Sequence, residues 1–473
     1  MADRSSPGNR PATYPGSLMP PAGGFAVRGT AIDSPVLGEV RVRQNALILV
    51  DGSGSIGAVV ESGEPGYAGQ LEAAAAAGTL VECGDGQYIL PGLIDLHIHA
   101  PQWPQLGKAL DVPLSEWLLD HTFPLEARYE DIAFAGSVYP SLVRALLANG
   151  TTTAVYFATR HLPATKLLAD TCLGLGQRAV VGRVAMDDVT TCPDFYRDHS
   201  AALAIAETEE LIGYIRGLGG NQDHLVMPAV TPRFIPSCSD ELMLGLGELV
   251  VATDAHVQTH CSESDWAHGF GLDRFGQSDT NTYHDMGLLT RRTVLAHSNF
   301  IDEQDLEIIA GVGAAVAHCP LSNVYFANAV FPLRESLDRG VHVGLGTDIS
   351  GGPSASMFNA ARSAVAASRV REDGVDNRIA GADRGVAAAR VTSAEAFWAA
   401  TTGGGIALDL PVGLLAPGYS FDALLIDTTL PESEVRIWPD LDHSSQILEK
   451  IVHNAGRGSI SSVWVNGELV SSR

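Results

Sequence analysis

Two histidines two residues apart, in Leu93-Ile94-Asp95-Leu96-His97-Ile98-His99, have the type and spacing of metal ligands. The run is apolar and β-prone. On a strand, residues i and i+2 share a face, so His97 and His99 present two imidazoles to one point while Leu96 and Ile98 pack behind them. Imidazole is the commonest side-chain ligand for such metals. His260 and Asp348 close two later strand-like runs, and with them the set becomes three imidazoles and a carboxylate. That set suits one zinc ion per chain and leaves a position for water, which makes metal-assisted hydrolysis the expected chemistry. No thiolate belongs to the set, and iron or another divalent metal also fits by ligand type. Asp348, in Gly346-Thr347-Asp348, is costly to bury unless it is paired or coordinated, which favours a working role.

These side chains need a scaffold that brings distant strand ends together, and the chain has one. Strand-like runs alternate with helical stretches eight times: 93–99, 152–158, 179–186, 225–231, 256–260, 293–297, 314–318 and 342–347. The expected fold is α/β, a (β/α)8 barrel, with chemistry at the C-terminal rim of the strands. Six of the eight runs end in suitable residues: His97/His99, Asp187/Asp188, Arg233, His260, His297 and Asp348. Residues 1–24, rich in Pro, Gly and Ser, are expected to be loosely ordered. Residues 25–88 and 409–473 carry short β-prone runs and an Asn466-Gly467 turn, and are expected to form one flanking β-sandwich from both chain ends beside a barrel at 89–408.

Composition narrows the class. Of 473 residues, 45% are hydrophobic and 18% charged, a globular balance, and a formal net charge of −25 disfavours nucleic-acid partners. Six scattered cysteines without a C-x-x-C pair fit reduced thiols. No apolar run is long enough for a membrane helix, and no charged start precedes an apolar segment with a cleavage site. A cytoplasmic enzyme acting on a small molecule is expected, as a homodimer, with neither membrane nor nucleic acid as partner.

The strand-one motif, His260-Cys261-Ser262-Glu263, Ala296-His297, Ala317-His318-Cys319-Pro320 and Gly346-Thr347-Asp348 resemble the amidohydrolase superfamily, in its mononuclear, heterocycle-deaminating branch. More narrowly, five stretches resemble the guanine deaminases: His99-Ala100-Pro101-Gln102-Trp103, Trp117 with Thr122-Phe123-Pro124, Gly150 to Thr159, Arg233-Phe234 with Ser237-Cys238-Ser239, and Gly346 to Gly352. The likeness runs from about residue 90 to about residue 410. It implies hydrolysis of guanine to xanthine and ammonia, with Arg233 on the purine carbonyl and Gln102 on the amidine edge. Physically, Arg233 offers a fork of donors, and Gln102 both a donor and an acceptor. Phe234 and Trp103 either stack on a ring or fill the wall.

Attack of hydroxide on an amidine-like carbon puts charge on the adjacent ring nitrogen, so a proton donor must wait there. Glu263, three residues past His260, fits that role. Asp348 can take the water's proton and pass it to departing ammonia, and it lies against the substrate as Glu263 does. His297 can orient the hydroxide; whether it also touches the metal is open at this level. Adenine, lacking the carbonyl, would leave Arg233 unpaired, and rejection by roughly four to five orders of magnitude is expected. Two departures from the family concern the pocket ceiling, Val324 to Val330, and the long excursion 265–289, which reads as a lid or a subunit contact. They leave a pterin or oxidised purine as the alternative substrate. A non-catalytic scaffold is disfavoured because all ligands are present, and a two-metal relative because Pro232-Arg233-Phe234 holds no bridging lysine.

Overall fold

The computed structural model describes residues 23–327 and 329–473. Eight parallel strands form the barrel: β1 (Leu93–His99), β2 (Thr151–Phe157), β3 (Arg178–Ala185), β4 (Val226–Pro232), β5 (His256–Cys261), β6 (Thr293–His297), β7 (Ala315–His318) and β8 (His342–Leu345). Each lies within one residue of its expected run, except that β8 stops at Leu345, two residues short. Neighbours pair in sequence order, and the seam closes just past β8, where Asp348 N donates to His97 O (2.8 Å) and His99 N to Ile349 O (2.9 Å). The loop carrying Asp348 is thereby stitched to the strand carrying the two histidines.

The barrel interior is filled by small and branched side chains, among them Ile94, Leu96, Val155, Val180, Ala229, Val294, Ala315 and Ala317, with Leu408 and Val412 plugging one end. Outside, helix Ile132–Ala148 buries Tyr139, Leu142, Leu146 and Leu147, the face expected from their spacing. Helix Ser393–Ala400 starts with the expected capping box between Thr392 and Glu395.

Both chain ends meet in a second sheet. Ala423–Asp427 runs antiparallel to Gln87–Pro91 on one side and to Ile460–Val465 on the other, joining the C-terminal strands to the group begun by Phe25–Asp33 and Arg41–Val50. Asn466 and Gly467 both take positive φ (49° and 78°), the requirement of a tight type I′ hairpin. Arg178, at the start of β3, pairs with buried Asp422 at 2.9 Å and pins this sheet to the barrel. Nearly all of the segment 1–24 lies outside the described residues. Among those described, no helix is long and apolar enough to cross a membrane.

Candidate active site

Side chains from β1, β5, β6 and the loop after β8 converge at the C-terminal end of the barrel. His97 Nε2 lies 3.2 Å and His99 Nε2 3.5 Å from Asp348 Oδ1, while His99 Nε2 and His260 Nε2 are 3.0 Å apart. His297 Nε2 stands 3.9 Å from Asp348 Oδ2 and 3.7 Å from Glu263 Oε1. Three strand ends turn abruptly to aim these groups: Ser262, His297 and Asp348 adopt φ of 43°, 70° and 49°, a region that costs energy for side-chain-bearing residues and gathers at functional sites.

The cluster suits a cation. His97 Nε2 and His297 Nε2 are buried without a hydrogen-bond partner, an expensive arrangement for polar atoms unless something else satisfies them. His260 donates Nδ1–H to Arg233 O (2.6 Å), which leaves its Nε2 as a bare lone pair facing His99. Burial holds His97, His99 and His260 well below the ordinary histidine value, reinforced by neighbouring histidines and Arg233, so they stay in the neutral, ligating form. Among the described residues, ligand atoms of His97/His260/His297 and of His97/His99/Asp348 lie within 4.8 Å of one another. The expected ligands are therefore all together, and His297 shares a group with two of them.

Glu263 is buried beside this cluster. Burial and then the nearby Asp348 carboxylate push its carboxyl up to about 8, despite the opposing pull of Arg233. That direction favours the protonated form, the one able to donate. Asp348 is likewise raised by burial. The segment after Ser264 braces this strand end: Tyr283 Oη donates to His260 O (2.8 Å), and Asp279 accepts Ser262 N–H (2.7 Å). The excursion 265–289 thus forms two short helices that buttress β5, with Trp266 packed against Phe234 (5.8 Å).

Opposite the cluster, Gln102 and Arg233 converge on a side chain that sequence reasoning missed. Glu126, fully buried, accepts from Arg233 Nη1 (2.6 Å) and Nη2 (3.2 Å) and from Gln102 Nε2 (2.9 Å), while Gln102 Oε1 accepts Ser350 N–H (3.1 Å). Arg233 is consequently not an isolated buried cation. Pairing with Glu126 outweighs the burial that would lower it, and its guanidinium sits 4.9 Å over the Phe123 ring. The expectation that a substrate lacking a carbonyl would orphan Arg233 is corrected by this carboxylate. The one signal was a glutamate just past Thr122-Phe123-Pro124; an acid on a helix reads as solvated until the fold buries it.

The cavity between the two groups is lined by His99, Gln102, Arg233, Phe234, His260, Glu263 and Asp348 and roofed by Leu114, Trp117, Leu118 and Phe326. Trp117 and Phe326 meet at 5.1 Å, each on a π-helical turn. The divergent segment 324–330 therefore does contribute the ceiling, through Phe326; its Asn328 lies outside the described residues. Other expectations fare differently. Trp103 points away, reaching Ser141 (3.3 Å) on the helix outside the barrel. Asp187 is spent on the loop after β4, accepting from Ser239, and Asp188 on its own loop, accepting from Thr190 and Thr191. His318 packs behind the site on Phe331 (5.2 Å), as a structural histidine would.

This arrangement has relatives. A sequence profile of the amidohydrolase family matches residues 88–470. The chain belongs to the amidohydrolase family. It is 36% identical to the guanine deaminase of Homo sapiens over 96% of this chain and 97% of that one, and 32% identical to the guanine deaminase of Dictyostelium discoideum over 94% and 97%. Among solved structures, guanine deaminase from C. acetobutylicum, with guanine bound in its active site, superposes with a TM-score of 0.83 at 28% identity, over 94% of this chain and 99% of that one. Within this amidohydrolase barrel Asp95 is a further residue overlooked in the sequence: buried on β1, it accepts Thr347 N–H (2.9 Å) and Thr347 Oγ1 and so holds the turn that presents Asp348.

Proposed function

We propose that this protein is a hydrolytic guanine deaminase working with a divalent metal, zinc in the first instance, at one ion per chain. Guanine and water become xanthine and ammonia: the ring C–NH2 bond breaks and a C–O bond forms at the same carbon. A metal held by His97, His99, His260 and Asp348 would supply the Lewis acidity that makes water ionisable near neutral pH. The remaining work falls to the chain's own groups. Asp348 accepts the proton that water gives up and returns it to the leaving amine. Glu263, whose proton burial helps to retain, donates to the ring nitrogen beside the attacked carbon. His297, beside Glu263 and Asp348, orients the attacking water. Arg233 retains N–H groups beyond the two given to Glu126 and offers them to the purine carbonyl. Gln102 has one N–H and one lone pair left for the amidine edge, and Phe234 walls the ring. The catalytic domain is taken as 89–408, flanked by 25–88 and 409–473.

The observation that carries this reading is the pairing, across one small cavity, of a buried histidine cluster with Glu263 beside it on one side and a polarity-fixed Gln102/Arg233/Glu126 group on the other. Guanine in the active site of the C. acetobutylicum neighbour supports the substrate. The test is ammonia release from a panel of aminated purines and pterins, with metal counted per chain. Guanine as the best substrate, one metal per chain, and loss of activity on chelation with recovery on adding zinc are expected. A pterin turned over far faster than guanine would overturn the substrate, and two tightly held metals the single-ion reading.

A further inference from the structure

Which nitrogen of His297 works can be deduced from two amides behind the site. The carbonyl oxygen of Glu263 can only accept, and it takes Asn299 Nδ2–H at 2.8 Å. Asn299 is thereby oriented, so its Oδ1 accepts Asn323 Nδ2–H at 2.7 Å. Asn323 is oriented in turn, and its Oδ1 faces His297 Nδ1 at 2.9 Å. An oxygen acceptor at that position requires the imidazole proton on Nδ1, which leaves Nε2 as a bare lone pair. Water does not compete, because Asn299 and Asn323 are only 7% and 1% exposed. Their backbones are tied as well, Asn299 N to Ser262 O (3.0 Å) and Asn323 N to Cys319 O (3.1 Å). Nε2 itself is buried, unpartnered and directed between Glu263 and Asp348.

We propose that Asn299 and Asn323 are positioning residues that lock His297 in its Nδ1–H form, so that Nε2 enters the reaction solely as an electron-pair donor. It accepts a hydrogen bond from the attacking water, whose proton goes to Asp348, or ligates the metal; it does not act as an N–H donor to substrate. Asn299, at the far end of the relay, also holds the backbone carbonyl of Glu263, so one relay sets both the acceptor at His297 and the placement of the proton donor. This deepens, and rests on, the reading of the cluster as a metal-dependent hydrolytic site.

The test is nitrogen NMR on the metal-loaded, full-length enzyme carrying ring-15N histidine, with His297→Gln used to assign the resonances. His297 should show a protonated Nδ1 and an unprotonated or metal-bound Nε2. Asn323→Asp keeps an oxygen acceptor and should keep that pattern. Asn323→Leu removes it and should populate the Nε2–H form, with kcat falling about tenfold, KM little changed and metal content retained. An Nε2–H signal in the unmutated enzyme overturns the proposal, as does an Asn323→Leu enzyme with unaltered tautomer and kcat. If that variant fails to fold, the unmutated and Asn323→Asp spectra still decide. A wrong substrate assignment leaves these spectra as expected, whereas a wrong tautomer assignment leaves guanine turnover by the unmutated enzyme intact, so the two failures are separable.

Discussion

Replacing Glu126 with Gln probes the link that the fold builds between the two substrate-reading side chains. The carboxylate accepts three hydrogen bonds, two from the Arg233 fork and one from Gln102, in a place closed to solvent. An amide keeps the shape and one acceptor, but its NH2 must face an Arg233 N–H in either orientation, because each carboxylate oxygen takes one. At least one hydrogen bond to a charged group is lost, about 1.5–3 kcal/mol. Removing one partner of a buried ion pair altogether costs about 3–5 kcal/mol, and retention of the amide oxygen places Glu126→Gln below that range. Because Gln102 and Arg233 are read as holding substrate and transition state alike, the catalytic loss should fall on KM: about 10- to 100-fold in kcat/KM, with kcat changed far less. Steady-state ammonia release, metal content and thermal unfolding measured together check this. A Glu126→Gln enzyme with normal KM and melting temperature would refute the idea that this carboxylate organises the substrate side of the cavity. A fall in kcat alone would place Glu126 in the chemistry instead.

Other perturbations have equally definite outcomes. Glu263→Gln keeps size and hydrogen bonding but removes the transferable proton, so metal content should persist while turnover falls by roughly a hundredfold or more; near-normal turnover would assign ring protonation elsewhere. Adenine should be a poorer substrate than guanine by roughly 10- to 150-fold for each hydrogen bond to Arg233 that it forfeits, since Glu126 keeps the cation paired; competition kinetics that favour adenine would remove the guanine assignment. Asp279 is pushed up to about 7 from an ordinary 3.8, by burial first, and its Oδ1 has no partner. A raised carboxyl stays protonated in the folded state while the unfolded chain already ionises, so it erodes stability progressively from about pH 4 and fully above about pH 7. Asp279→Asn, which still accepts from Ser262, should therefore gain in melting temperature relative to the unmutated protein as pH rises from roughly 4 to 8. A difference that does not vary with pH would show that Asp279 is ionised in the fold.

Much of the molecule is legible in local pattern. His97 and His99 share a face because strand geometry has a period of two, and β1 to β8 alternate with amphipathic stretches whose periods read directly from the chain. The ligand types and the proximity of Glu263 to His260 are likewise properties of the sequence. What it leaves undecided is where groups from distant segments meet. Glu126 lies 107 residues from Arg233, and only the folding of the loop after β1 over the barrel mouth converts an unremarkable helical acid into a buried counter-ion. The tautomer of His297 depends on Asn323, 26 residues away, and on Asn299, whose orientation is set by a backbone carbonyl. Trp103, adjacent to Gln102 in sequence, turns outward, because side-chain direction on the short 3-10 segment 100–105 follows neither the strand nor the helix period. Residue type and spacing determined which chemistry is available, since those are local; polarity, protonation and partner choice were decided by tertiary structure, because burial and hydrogen-bond direction arise only when remote segments exclude water together.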